Sequence, residues 1–249
     1  MTPLYVVGKL TVGSLMKYGY LPHVEGLSNV PKTGGAILAS NHNSVADQLF
    51  LGSVVSRQVH YWAKEEYFHL PGIQGKLLAG LMHGLGTIPV HREGGRAALN
   101  ALDDAVPLLQ AGDLVGIFPE GTRSPDGRLY RGRTGVARLA KMAGVPVVPV
   151  AILGSERVQP KGNMVPRLGA LGRSGVTITF GKPMDFSDRS DDMSTKRAIT
   201  DEIMIEIQKL SGQEYVPRYA PRPGVDKPAD PTGGDPATAA DGDATAPKA

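Results

Sequence analysis

The chain has 249 residues, 41% of them hydrophobic and 20% charged, which is enough apolar material for one domain with a substantial core. A formal net charge of +3 and a pI of about 9.0 suit anionic substrates, anionic membrane surfaces and nucleic acid alike. Cysteine is absent, which excludes disulfides, thiolate zinc sites, iron–sulfur clusters and a cysteine nucleophile.

Met1–Tyr20 carries Leu4, Val7, Leu10, Val12, Leu15 and Met16 beside Lys9 and Lys17, a pattern compatible with an amphipathic helix lying in a membrane interface or packed on the core. Its apolar stretches never reach the ~20 residues that span a bilayer, and only fragments of a secretory signal are present. Short β-branched runs follow at Ala36–Ser40, Val59–Ala63, Thr87–Val90, Leu114–Phe118, Val145–Leu153 and Val176–Phe180. Amphipathic stretches at Ser44–Val55, Ile73–His83, Arg96–Leu109, Thr134–Ala143 and Thr195–Leu210 read as helices between them. The alternation predicts an α/β fold with a largely parallel central sheet flanked by helices, occupying residues 21–216 behind the N-terminal helical segment 1–20. From Pro217 to Ala249 Pro, Ala, Gly and Asp dominate, and this segment, 217–249, is expected to be a disordered tail.

Chemistry gathers where the predicted strands end, which is where sites form in α/β sheets. AILAS runs into Asn41-His42-Asn43-Ser44-Val45-Ala46-Asp47, so His42 can precede a helix whose first turn carries Asp47. In that arrangement a carboxylate fixes one imidazole nitrogen and leaves the other to accept a proton from a hydroxyl. The alternative is structural, because Ser44-x-x-Asp47 also fits a capping box. Two further strand ends each deliver an arginine, Gly86-Thr87-Ile88-Pro89-Val90-His91-Arg92 and Phe118-Pro119-Glu120-Gly121-Thr122-Arg123-Ser124. Guanidinium forks suit phosphate, and Gly121 permits close backbone approach; taken singly, each arginine could equally be a solvated loop charge. Lys64 is a further source of positive charge, or a helix-start charge beside Glu65 and Glu66. His83 and His91 show no zinc-ligand spacing, and no serine-hydrolase elbow, dinucleotide fingerprint or P-loop occurs. A basic stripe interleaved with aromatics is also missing, which argues against nucleic acid.

Together NHNSVAD, GTIPVHR, FPEGTRS and Val145-Pro146-Val147-Val148-Pro149-Val150 resemble, in order and spacing, the four blocks of the glycerolipid acyltransferase family that includes bacterial 1-acyl-glycerol-3-phosphate acyltransferases. The resemblance covers roughly residues 24 to 185. It implies His42 as the base and Asp47 as its orienter, with Arg92, Glu120, Gly121, Thr122 and Arg123 on the acceptor side. Pro149 falls in the block linked to the acyl donor, and Lys64 resembles a frequent family lysine. The resemblance further implies acyl-CoA or acyl-carrier protein as co-substrate, no cofactor or metal, 1-acyl-sn-glycerol 3-phosphate as acceptor with glycerol 3-phosphate or another lysophospholipid as the alternative, and the cytoplasmic face of the cell membrane as the place of work. A noncatalytic module that binds anionic lipid through the same basic loops is the competing reading from another class; it requires that His42→Ala leave function intact.

Overall fold

A computed structural model of the chain describes residues 1–64, 69, 71–73, 76, 79–80, 86–90, 95–163 and 165–221. Helix α1 (Pro3–Gly8) opens with Thr2 accepting the Tyr5 amide at 3.2 Å. Two wide, π-type helical stretches, Lys9–Gly13 and Leu15–Gly19, continue it. One side of this segment is anchored: Met16 and Tyr20 are buried, and the Lys9 ammonium donates to the Val55 carbonyl. The Tyr5 hydroxyl accepts the Val59 amide at 3.2 Å. The other side leaves Leu4, Val7, Leu10, Val12 and Leu15 exposed, so the segment both packs on the core and presents an apolar face.

The next elements are β1 (His23–Glu25), β2 (Ala36–Ser40), α2 (Ala46–Val54), β3 (Val59–His60), β4 (Trp62–Lys64), β5 (Ile88–Val90), α3 (Gly95–Gln110) and β6 (Leu114–Ile117). They are followed by β7 (Leu129–Tyr130), α4 (Gly135–Ala143), β8 (Val147–Leu153), α5 (Ser155–Val158), β9 (Thr177–Phe180), α6 (Met193–Ser211) and β10 (Tyr215–Val216). Six strands form the central sheet in the order β1-β9-β8-β2-β6-β3. The pairs β8–β2, β2–β6 and β6–β3 are parallel, whereas β8 and β9 are antiparallel, giving the mixed α/β sheet the sequence predicts. β2 lies in the middle, and all five of its residues are buried, as a strand covered on both faces requires. Phe50, Leu51 and Tyr20 line one face of the sheet; Leu109, Leu139, Ile203 and Ile207 line the other.

The predicted helices and strands are found with ends shifted by a residue or two, except the helix at Ile73–His83, most of which lies outside the described residues. The predicted strand Val59–Ala63 divides at Tyr61: His60 pairs with Val115 in the central sheet, while Trp62 pairs with Ile88 in a separate two-stranded sheet. Tyr61 swings its ring over Gly116, where any Cβ would lie 2.2 Å from Tyr61 Cε1, so a side chain at 116 would displace the ring. Of the expected tail, residues 222–249 lie outside the described residues; before them Tyr215 and Val216 pair with Leu129 and Tyr130, and Ala220 is buried.

Candidate active site

At the end of β2 the chain leaves the sheet through Asn41, whose side chain satisfies the next residue of β8. Its carbonyl oxygen accepts the Ile152 amide at 2.8 Å and its amide nitrogen donates to the Ile152 carbonyl at 2.9 Å. The side chain thereby closes the ladder and frees the backbone of His42 for other partners. The His42 amide donates to Glu120 Oε1 at 3.1 Å, and the His42 carbonyl accepts the Ser124 amide at 2.7 Å. The FPEGTRS loop thus holds His42 by both of its backbone groups.

Three donors converge on one carboxylate oxygen of Asp47, in the first turn of α2. Oδ2 accepts from His42 Nδ1 at 2.9 Å, from the Asn43 amide at 2.8 Å and from the Ser44 amide at 2.9 Å. One oxygen thus holds both the turn before α2 and the imidazole; of the capping box only the carboxylate half forms, since Ser44 Oγ accepts the Ala46 amide at 3.2 Å and not that of Asp47. Asp47 is fully buried and the His42 side chain is 13% exposed, so the pair sits at the edge of solvent with the carboxylate inside. Binding of Nδ1 to the carboxylate places the ring proton there and leaves Nε2 as the acceptor. The Phe118 ring stacks on the imidazole at 3.8 Å with an interplanar angle of 13°, fixing its plane.

The nearby hydroxyls are engaged elsewhere. Ser44 Oγ donates to the Gln159 carbonyl at 2.7 Å and Ser124 Oγ to the Arg128 carbonyl at 2.8 Å. Neither bonds the His42 ring, so among the described residues the constellation is a His–Asp pair without the nucleophile of a triad.

The profile of the acyltransferase family matches residues 22–153. The chain belongs to the acyltransferase family. It is 32% identical over 166 residues to a chloroplastic 1-acyl-sn-glycerol-3-phosphate acyltransferase of Arabidopsis thaliana, covering 66% of this chain and 44% of that one. It is 29% identical over 192 residues to the 1-acyl-sn-glycerol-3-phosphate acyltransferase of Bacillus subtilis, with 74% and 85% covered. The chain thus spans less than half the length of the chloroplast relative and most of the bacterial one. Among solved structures, the 1-acyl-sn-glycerophosphate acyltransferase PlsC of Thermotoga maritima superposes with a TM-score of 0.63 at 26% identity, covering 83% of this chain and 79% of that one.

The remaining candidate residues fall into two groups. Glu120 is fully buried, and both its oxygens are taken by backbone amides, Oε1 by His42 and Oε2 by Tyr130 at 2.9 Å. Burial raises its pKa from 4.5 to about 7, against the opposing pull of the Tyr130 and His42 amides, with Asp47 and Asp126 adding to the rise. Gly121 follows at φ +74 in a turn closed by its amide on the Phe118 carbonyl at 2.9 Å; a Cβ there would lie 3.1 Å from Arg133 Cδ and Nε. Thr122 is half-buried and Arg123 exposed, whereas Arg128 in the same loop is bound to Asp126 and Glu214. Arg92, His83 and His91 lie outside the described residues, and Lys64 is placed by its backbone alone, paired with Val90.

Because the folded protein holds the Glu120 proton more tightly than the unfolded chain does, Glu120 contributes stability that is complete below pH 4.5 and lost as pH rises through about 7. The loss is on the order of 2–4 kcal/mol. Urea denaturation of the wild type between pH 5 and 8 should show this decline, and Glu120→Gln should flatten it; equal slopes for the two proteins would contradict the assignment.

Gln213, which has no motif to mark it, is the residue that sequence reading misses. It follows Gly212, whose φ of +65 ends α6, and its side chain reaches back to the His42 loop. Gln213 Oε1 accepts from Asn41 Nδ2 at 2.8 Å, while Nε2 donates to the Gly127 carbonyl at 2.6 Å and to Asn43 Oδ1 at 3.5 Å. It joins the asparagines on either side of His42 to the loop after FPEGTRS. Gln213→Ala should lower kcat by up to about 10²-fold with little change in KM, because loosening the loop misplaces the His42 imidazole without removing substrate contacts. An unchanged kcat would show that Gln213 has no positioning role.

Proposed function

We propose that this acyltransferase moves a fatty acyl group from the thioester of acyl-CoA or acyl-carrier protein to the free hydroxyl of 1-acyl-sn-glycerol 3-phosphate, forming phosphatidate at the cytoplasmic face of the membrane. The observation that carries the reading is the His42–Asp47 pair, with Nε2 unengaged among the described residues and both neighbouring serine hydroxyls occupied. The names of the Arabidopsis, Bacillus and Thermotoga relatives support the acceptor.

The acceptor hydroxyl gives its proton to His42 Nε2 as its oxygen adds to the thioester carbonyl. The tetrahedral adduct collapses by breaking the C–S bond, and the departing thiolate takes the proton back from the imidazolium. The buried Asp47 carboxylate stabilises that imidazolium, and a base positioned in this way supplies about 10²–10⁴ in rate. Arg92 and Arg123 bind the acceptor phosphate; Gly121 shapes the turn that presents Arg123, and Thr122 and Lys64 add polar contacts. Glu120 serves the acceptor side indirectly, by fixing the loop against His42. No helix among the described residues is long and apolar enough to cross a membrane, and the protein works from the surface, through the exposed apolar side of residues 1–20.

The test is a panel of acceptors and donors. Product formation should be fastest with 1-acyl-sn-glycerol 3-phosphate and weak with acceptors lacking phosphate, and the ratio of rates with acyl-CoA and acyl-carrier protein assigns the donor. Preference for glycerol 3-phosphate would reassign the acceptor. Absence of transfer to any acceptor from either donor would leave lipid binding without catalysis as the reading.

A further inference from the structure

We propose that the loop formed by residues 165–173 is a second membrane-inserting element, which together with the N-terminal segment docks the protein on an anionic lipid bilayer. The inference rests on the reading that the acceptor is a membrane lipid, and names the part of the molecule that meets it.

Val165 and Leu168 are 70% and 67% exposed, and Leu171 is exposed beside them, so the loop offers a cluster rather than a single apolar side chain. The loop is fastened to the N-terminal segment along its length. The Gly172 amide donates to the Gly19 carbonyl at 2.7 Å, Ser174 Oγ to the Tyr20 carbonyl at 2.6 Å, and the Tyr20 hydroxyl to the Arg167 carbonyl at 3.2 Å. A Cβ on Gly19 would lie 2.8 Å from Leu15 Cδ1 and 3.0 Å from Leu171 Cδ2, so the apolar side chains of the two elements adjoin. Exposed Leu15, Tyr18 and Leu21 continue the same patch.

The charge carried by the two segments has one sign. No Asp or Glu occurs in residues 1–24 or 157–184, while Lys17, Arg167 and Arg173 are exposed within the patch or at its rim. Apolar side chains that enter the acyl boundary, flanked by cations that stay at the headgroups, match an anionic bilayer and would repel a basic partner. The loop is also tied to the site: the Arg167 amide donates to the Val158 carbonyl at 2.8 Å, and the next residue, Gln159, accepts the Ser44 hydroxyl beside His42. Insertion therefore holds the His42 loop close to the surface from which the acceptor comes.

The chain has no cysteine, so Leu168→Cys carries a single environment-sensitive fluorophore. Mixed with vesicles of phosphatidylglycerol and phosphatidylcholine, the probe at 168 should shift to the blue and brighten, less so with pure phosphatidylcholine. The same probe at Ile205→Cys, on the outer face of α6 across the sheet, should stay in water. Separately, Val165→Asp with Leu168→Asp should reduce partitioning into the anionic vesicles by at least about tenfold. A probe at 168 that stays in water while the protein floats with vesicles, or a protein that does not bind them, overturns the proposal. The probe reads insertion without turnover, so failure of acyl transfer and failure of docking are seen separately.

Discussion

His42→Ala is expected to lower acyl transfer by about 10²–10⁴-fold, with the protein still folded. The imidazole has one nitrogen on Asp47 Oδ2, and no hydrogen bond among the described residues occupies the other, in a side chain 13% exposed. Alanine removes that acceptor, and neither Ser44 nor Ser124 can replace it, since both hydroxyls donate to carbonyls. The structural cost is modest. His42 is held by its backbone, to Glu120 and Ser124, and those bonds survive in alanine. Loss of the Phe118 stack removes about 0.5–1.5 kcal/mol. Acyl transfer and thermal unfolding of the same preparation check this together. Full activity in a folded His42→Ala protein would remove His42 from the chemistry.

Substitution of Asp47 should separate geometry from charge. Asp47→Ala deletes the acceptor of three bonds and leaves the Asn43 and Ser44 amides without it in the interior. At about 1–3 kcal/mol for each buried orphan, the variant should lose a large share of the protein's stability along with its activity. Asp47→Asn can present its carbonyl oxygen at the position of Oδ2 and keep the three bonds, yet it has no charge to stabilise an imidazolium. It should therefore remain folded while turnover falls by about 10²-fold or more. Denaturation and steady-state kinetics of the pair give the answer. An Asn variant with wild-type kcat would mean that Asp47 serves the fold alone.

How much of this was legible beforehand varied with the range of the interaction. AILAS, a buried run of five, reads as a strand from its composition, and the α/β alternation follows from the spacing of such runs. Strands of two or three residues, β1, β7 and β10, carry too little pattern to be seen and exist because a neighbour pairs them. The split at Tyr61 depends on Gly116, more than fifty residues away, lacking a side chain. In the site, the His42–Asp47 pair is local and was visible as a spacing. Glu120 was visible as a residue, but its burial against the His42 and Tyr130 amides is a property of the fold. Gln213 was invisible, because its partners Asn41 and Asn43 lie at the other end of the chain.

The most direct measurement is release of free thiol from oleoyl-CoA or oleoyl-carrier protein, with and without 1-acyl-sn-glycerol 3-phosphate, by the wild type and by folded His42→Ala. The account predicts thiol release that requires the acceptor, matches phosphatidate formed mole for mole, and vanishes in the variant. Release without acceptor, or equal release by both proteins, would contradict direct transfer with His42 as the base.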